Sequence, residues 1–406
     1  MQHQEKYKLY GYRWVVLAVF MFVNLTIQIL WITYASITGP AAAYYGVGDL
    51  QIGLLAMLFM VAFIPLSIPV SWVIDTYGFR KAVSIGVILM GVFGLLRGLV
   101  GVDYTWVFIS TIGIAAAQPF LLNAWTKLPA RWFDSKERAT AVGLVTLSNL
   151  IGTGIGLEIT PRLIETMTIS QVQVIFGAIA LFSSILFLIF AREAPPTPPC
   201  PDGLEVRALM LDGLKHAFKV RDFWLYLLVS FIGMGVFNGI NNWVENIVRP
   251  RGFTPSNAGD LGAAMLVGGL LGALIIPPFS DRLRKRKVFL MLGFVLAIPG
   301  LIGVTFAINY WLLMVSAFFL GFFLVSASPI GMQYAAEITQ PTPEGTSNGL
   351  IQLFSQASVV FVYLMDAIKD PSGSFTPGLL LGAGLMVVSV FILTLIKDPA
   401  IPLKAE

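Results

Sequence analysis

Cysteine occurs once in 406 residues and histidine twice. A lone cysteine excludes a disulfide framework, and two histidines give no basis for a metal centre. No stretch reads G-x-x-x-x-G-K-[ST], so direct coupling to ATP is not expected. Nor is there a nucleophile–base or metal-ligand constellation, which argues against an enzyme and against any cofactor. Charge is scarce as well, at 12% of residues, where a soluble domain carries roughly 25%. What fills the chain is apolar: 57% of it is hydrophobic, gathered in blocks of about 20 residues, long enough to cross a bilayer as helices. The 39 glycines and 23 prolines suit membrane helices that pack closely or kink. The first block lacks a small-residue cleavage signature and reads as a retained helix rather than a signal peptide.

Twelve spans fit, at 12–36, 49–73, 81–99, 105–130, 139–161, 172–191, 222–247, 257–280, 287–306, 309–335, 345–367 and 374–396. The expected fold is an all-α polytopic membrane protein in three parts: a six-helix bundle over 1–191, a linker over 192–221 and a second six-helix bundle over 222–406. Proline keeps the first half of the linker from being helical, while "EVRALMLDGLKHAF" (205–218) can lie along the membrane surface. An even number of spans puts both termini on one side. That side collects Lys6, Lys8, Arg13, Arg80, Lys81, Arg131, Arg138, Arg192, Arg207, Lys215 and the "RLRKRK" run at 282–287; the other holds little beyond Arg162, Arg249, Arg251 and Lys369. The positive-inside rule therefore places the termini and the linker in the cytoplasm of a plasma-membrane protein. The net charge of +4 follows largely from that topology and needs no nucleic acid.

Beneath the hydropathy lies a repeat. "SWVIDTYGFRKAV" ends the second span and "PFSDRLRKRKVFL" the eighth, with Asp75 and Asp281 206 residues apart; "ATAVGL" at 139 and "GTSNGL" at 345 share that offset. Duplicated halves of six spans, a long linker and a D-x-x-G-x-R motif after span 2 resemble the major facilitator superfamily. That resemblance implies two pseudo-symmetric bundles rocking about a midplane site. The motif's usual first glycine is Ser71 here. Asp75 at a helix end can pair with Arg80 or meet a neighbouring helix N-terminus. Asp281 and Arg282 occupy the matching place in the second half, so these four residues are candidate gate latches.

Longer stretches narrow the likeness. "WITYASITGPAAAYYGV", "FMVAFIPLSIPVSWVIDTYGFRKA", "AQPFLLNAWTKLPARWF", "SNLIGTGIG" and "AAEITQPTPEGTSNGLIQLFSQ" look like the feline leukaemia virus subgroup C receptor family of transporters. Members are associated with choline and ethanolamine uptake, and also with haem export. In the choline carriers a tryptophan of the first helix stacks on the ammonium group and matches Trp31, while a glutamine of the eleventh matches Gln356. Two positions depart from the pattern: the family's helix-5 glutamine falls at Leu150 and its helix-7 tyrosine at Asn238. The resemblance implies that Trp31 and Gln356 meet across a central cavity.

Buried amides cost several kcal/mol when unpaired in lipid, so polar stripes should face other helices or a water-filled cavity. Span 1 offers Asn24, Gln28, Trp31 and Tyr34; span 4 offers Gln118, Asn123 and Trp125. Span 5 has Asn149 and Thr153, span 7 has Asn238, Asn241, Asn242, Trp243 and Glu245, and span 11 has Gln352 and Gln356. Trp31, Gln356, Gln28, Tyr34, Gln118, Trp125, Asn238, Asn242, Trp243, Glu245 and Gln352 are the candidate ligand contacts. Interhelical glue is the alternative for each, and the better reading of Asn24 and Asn149. Glu245 and Glu158 sit near outer helix ends, as surface charge or as cavity carboxylates. Arg97 and Lys127 are expected to snorkel. The leading expectation is an alternating-access carrier of a small organic cation or amine alcohol, bound between the bundles, for which a monomer in the lipid bilayer suffices. The alternatives are a proton-coupled antiporter of amphipathic compounds and a haem or vitamin carrier.

Overall fold

A computed structural model describes residues 8–199, 215–283, 285–340, 342 and 344–397. Among them, twelve helices are long and apolar enough to cross a membrane, close to the expected limits. Helices are what such sequences must form, because hydrocarbon leaves backbone N–H and C=O groups no partner but each other.

The departures from straight spans are informative. The first span runs to Tyr45 rather than 36. It is broken into α1 (Arg13–Ile32), a 3₁₀ turn (Ala35–Ile37) and α2 (Thr38–Tyr45). Next come α3 (Asp49–Tyr77), α4 (Phe79–Leu99), α5 (Tyr104–Leu122), the short α6 (Lys127–Trp132), α7 (Ser135–Leu163) and α8 (Ile169–Phe190). In the second half, α9 (Arg221–Asn242) stops at Trp243, whose backbone leaves the helical region, before the short α10 (Val244–Val248). Then α11 (Pro255–Leu283), α12 (Arg286–Phe306), α13 (Tyr310–Ile338), α14 (Glu344–Ala357), α15 (Val359–Ala367) and α16 (Thr376–Leu395) complete the chain. Spans 1 and 7 hold equivalent places in the repeat, and both break near the same end.

Contacts sort the helices into two compact units. One holds the described residues 8–34 and 40–199; the other holds 35–39 and 215–397. The five residues 35–39, the 3₁₀ turn and the start of α2, thus group with the second unit. In the first unit α1 packs on α7 and α8, α4 on α5 and α8, and α3 on α5. Its core includes an aromatic cluster of Phe20, Phe79 and Phe187, with ring centres 5.3 and 5.9 Å apart along that chain. In the second unit α13 packs on α11 and α12, and α9 on α15 and α16. Most of the sequence read as a surface-lying stretch, 205–214, lies outside the described residues, as do Lys6, Cys200, Arg207 and Arg284.

Candidate functional site

The polar stripe of α1 divides in two. Its lower part closes on itself. Asn24 Nδ2 donates to the Phe20 carbonyl (2.8 Å), and Asn24 Oδ1 accepts from the Trp125 indole N–H (2.7 Å) and from Asn149 Nδ2 (3.4 Å). Gln28 Nε2 donates to Asn149 Oδ1. Close approach makes this network possible: a Cβ on Gly152 would run into the Leu25 carbonyl, so the glycine lets α7 lie directly on α1. Gln28 and Trp125, two of the expected ligand contacts, have these bonds spent on neighbouring side chains. Asn24 and Asn149 are the glue that the sequence suggested.

The upper part is different. Trp31 is half-buried, and its indole N–H is fixed to the Ala56 carbonyl at 3.1 Å. With that edge held by α3, the ring has a set orientation. Tyr34 is fully buried; its hydroxyl lies 3.0 Å from the Tyr45 hydroxyl, and its ring sits 5.3 Å from the Arg97 guanidinium carbon. Gln118 of α5 is buried, with no hydrogen bond to its Oε1 among the described residues. Asn123 donates to the Ser67 carbonyl and to the hydroxyls of Ser67 and Ser71. The serine in place of the family's motif glycine therefore has a use: it joins α3 to the end of span 4.

In the second unit, Asn238 donates to the Ser358 hydroxyl at 3.3 Å. Ser358 in turn donates to the Ser355 carbonyl (2.6 Å), at the break between α14 and α15. The sequence reading missed Ser358; a serine following Gln356 by two residues in an apolar span was the available signal. Asn241 Oδ1 and Asn242 Nδ2 are buried without hydrogen-bond partners among the described residues. Trp243 packs as core, fully buried, donating to the Val362 carbonyl (2.9 Å) beside the Phe375 ring. Gln352 and Gln356 lie half-buried on α14. Glu245 is 2% exposed; it pairs with Arg249 at 3.4 Å and accepts the Gly39 N–H at 3.2 Å. It is a buried carboxylate, not surface charge. Glu158 is the reverse, a partly exposed acid paired one turn along with Arg162.

The gate residues also find partners other than those expected. Asp75 pairs with Lys127 of α6 at 2.5 Å, not with Arg80. Arg80 extends its guanidinium toward the Leu188 carbonyl (3.5 Å). Glu193, overlooked in the Pro-rich linker, accepts the backbone N–H groups of Phe79 (2.9 Å) and Arg80 (2.6 Å) and pairs with Arg131. A carboxylate at a helix N-terminus meets both free N–H groups and the positive end of the helix dipole. The motif glycine follows from this: Gly78 has φ +93°, and a Cβ there would press on the Glu193 carboxylate. In the second unit Asp281 pairs with Arg286, which also binds Glu337 at 3.1 Å; Arg282 is exposed. Neither Lys127 nor Arg97 snorkels: the first is ion-paired, and the second is 1% exposed.

Comparison with known proteins agrees with this architecture. The Major Facilitator Superfamily profile matches residues 14–254 and 244–406. The chain is 28% identical to the choline/ethanolamine transporter FLVCR2 of Rattus norvegicus over 90% of this chain and 71% of that one. It is likewise 28% identical to the choline/ethanolamine transporter FLVCR1 of Mus musculus, over 95% and 75%. Among solved structures, a bacterial homolog of the human lysosomal transporter Spinster shares the fold, with a TM-score of 0.72, 16% identity and 96% coverage of both chains. The resemblance read from the sequence is borne out, and the chain belongs to the Major Facilitator Superfamily, as a multi-pass membrane transporter of a small solute related to the choline/ethanolamine transporters.

Proposed function

We propose that this protein carries a small organic cation of the choline or ethanolamine type by alternating access, with its termini on the cytoplasmic side. The observation that carries this reading is Trp31. The amides of α1 are engaged by other side chains, whereas Trp31 has its N–H engaged and is only half-buried. A tryptophan face attracts an ammonium group by up to about 2 kcal/mol when desolvated, and a quaternary head suits it because it has no hydrogen bonds to lose. The relatives named for choline and ethanolamine support the substrate class. Gln356, on the half-buried face of α14, is our candidate for orienting a hydroxyl or amine. A cation moving into a negative-inside cell gains about 2.3 kcal/mol per 100 mV, so uptake needs no second ion.

The direct test is uptake of labelled choline and ethanolamine into proteoliposomes, with an inside-negative potential imposed by a potassium gradient. Accumulation should rise with the potential and persist when the pH gradient is collapsed. Flux that requires the proton gradient would point to the antiporter reading instead.

A further inference from the structure

Arg97 lies in the last turn of α4, within a membrane span, and is 1% exposed. Its Nη1 donates to the Leu30 carbonyl at 2.9 Å. Its guanidinium carbon lies over the Tyr34 ring, and the Tyr34 hydroxyl is hydrogen-bonded with that of Tyr45. Among the described residues its Nε and Nη2 have no hydrogen-bond partner, and no carboxylate pairs with it. Arginine stays charged at every accessible pH, so this is an unneutralised positive charge in a low-dielectric site. Such a charge costs several kcal/mol when left without a partner. A helix C-terminus favours a cation only by about 0.3–1 kcal/mol at its surface and satisfies neither free donor.

The two unpartnered groups share one edge of the planar guanidinium, the edge that grips a carboxylate side-on through two parallel hydrogen bonds. Leu30, whose carbonyl holds the third donor, precedes Trp31, and Tyr34 follows Trp31 by one turn. Arg97 is therefore anchored to the same turn of α1 that presents the indole. Tyr45 leads outward from it to half-buried Tyr44 and Tyr104, with ring centres 5.0 and 6.4 Å away. An ionisable residue inside a membrane protein that lacks a counter-charge and leaves two donor groups unmet is by default a candidate ligand site.

We propose that Arg97 is a carboxylate receptor, its Nε/Nη2 edge binding an anionic group beside the cation held at Trp31. The carboxylate belongs either to the transported molecule, making it a zwitterionic quaternary amine, or to a separate small anion bound alongside. The pairing with a cation rests on the organic-cation reading above; the receptor role of Arg97 does not.

Calorimetry and thermal unfolding of the purified protein with choline, trimethylglycine and formate separate these cases. If the carboxylate is carried by the solute, trimethylglycine binds about tenfold or more tighter than choline. If the anion is separate, formate tightens choline by a similar factor. In Arg97→Gln either advantage disappears, and in Arg97→Lys part of it returns, because a lysine restores the charge without the two-toothed edge. The proposal is overturned if wild type shows neither a carboxylate advantage nor a formate effect, a result that needs no variant to fold. It is equally overturned if the advantage survives in a folded Arg97→Gln. Failure of both choline and trimethylglycine to bind through their ammonium heads, with formate still raising the unfolding midpoint of wild type but not of Arg97→Gln, would sink the organic-cation reading and leave Arg97 as an anion receptor.

Discussion

Two clusters of buried amides, one in each unit, differ in how far their hydrogen bonds are met. In the first, Asn24, Gln28, Asn149 and Trp125 bond one another, so the polar side chains act as a fixed girder between α1, α7 and the end of span 4. In the second, Asn241 donates to the Phe237 carbonyl, but Asn241 Oδ1 and Asn242 Nδ2 are buried with no partner among the described residues. A fully satisfied network rigidifies, while an orphaned polar atom is costly unless something arrives to meet it. Buried amides thus brace helices in the first unit, while Asn241 and Asn242 keep unused hydrogen-bonding capacity in the second. The charges at the repeat-related helix ends differ too. The first unit spreads them over two separate pairs, Asp75–Lys127 and Arg131–Glu193; the second concentrates them on Arg286, which holds both Asp281 and Glu337.

The concentrated arrangement should be the more fragile. Arg286→Ala leaves Glu337, only 16% exposed, with no cation and just the Gln333 amide at 3.0 Å, and should lower apparent stability by about 2–4 kcal/mol, less than for a fully buried pair because Asp281 is open to solvent. Guanidinium or thermal unfolding in detergent reads this directly, and a loss no larger than that of Asp75→Asn would remove the contrast between the units.

The amides provide the second break. Asn24→Leu leaves the Trp125 indole N–H and Asn149 without their acceptor and should cost about 1–3 kcal/mol. Asn242→Leu removes an amide whose Nδ2 bonds nothing and should leave stability within about 0.5 kcal/mol. If Asn242 serves the ligand, the same change should weaken substrate binding severalfold. Equal destabilisation by the two leucines would show that Asn242 is as structural as Asn24.

A smaller change is expected at Asp75, where both partners are partly exposed and such pairs contribute about 0–1 kcal/mol. Asp75→Asn should barely move the unfolding midpoint while slowing transport, since the Lys127 contact ties the end of α3 to α6. Unchanged flux in proteoliposomes would reduce Asp75 to a topology signal.

The fold was legible because its cause is one-dimensional: hydrocarbon thickness sets helix length, and the repeat offset is visible in short motifs. The site was legible only as a set of polar residues. Whether Gln28 faces a ligand or Asn149 depends on how closely α7 approaches, and that is decided by Gly152 on another helix. Arg97 was misread because a long side chain near a helix end can reach toward water or fold inward, and nothing in the local sequence distinguishes the two. Glu193 went unnoticed because its partners, Arg131 and the start of α4, are 62 and more residues away. The breaks in spans 1, 7 and 11 lacked a proline at the break itself. The break in span 11 has Ser358 at its centre, bonded to the Ser355 carbonyl.

The central claim is that the half-buried Trp31 ring recognises the cationic head of the solute. Calorimetric titration of choline into wild type, Trp31→Phe and Trp31→Ala, matched for unfolding midpoint, tests it most directly. The account predicts that alanine loses affinity by about tenfold or more, and that phenylalanine keeps part of it because a smaller π face still attracts the ammonium. Equal affinity in all three proteins would contradict it and leave Trp31 as a packing residue held by Ala56.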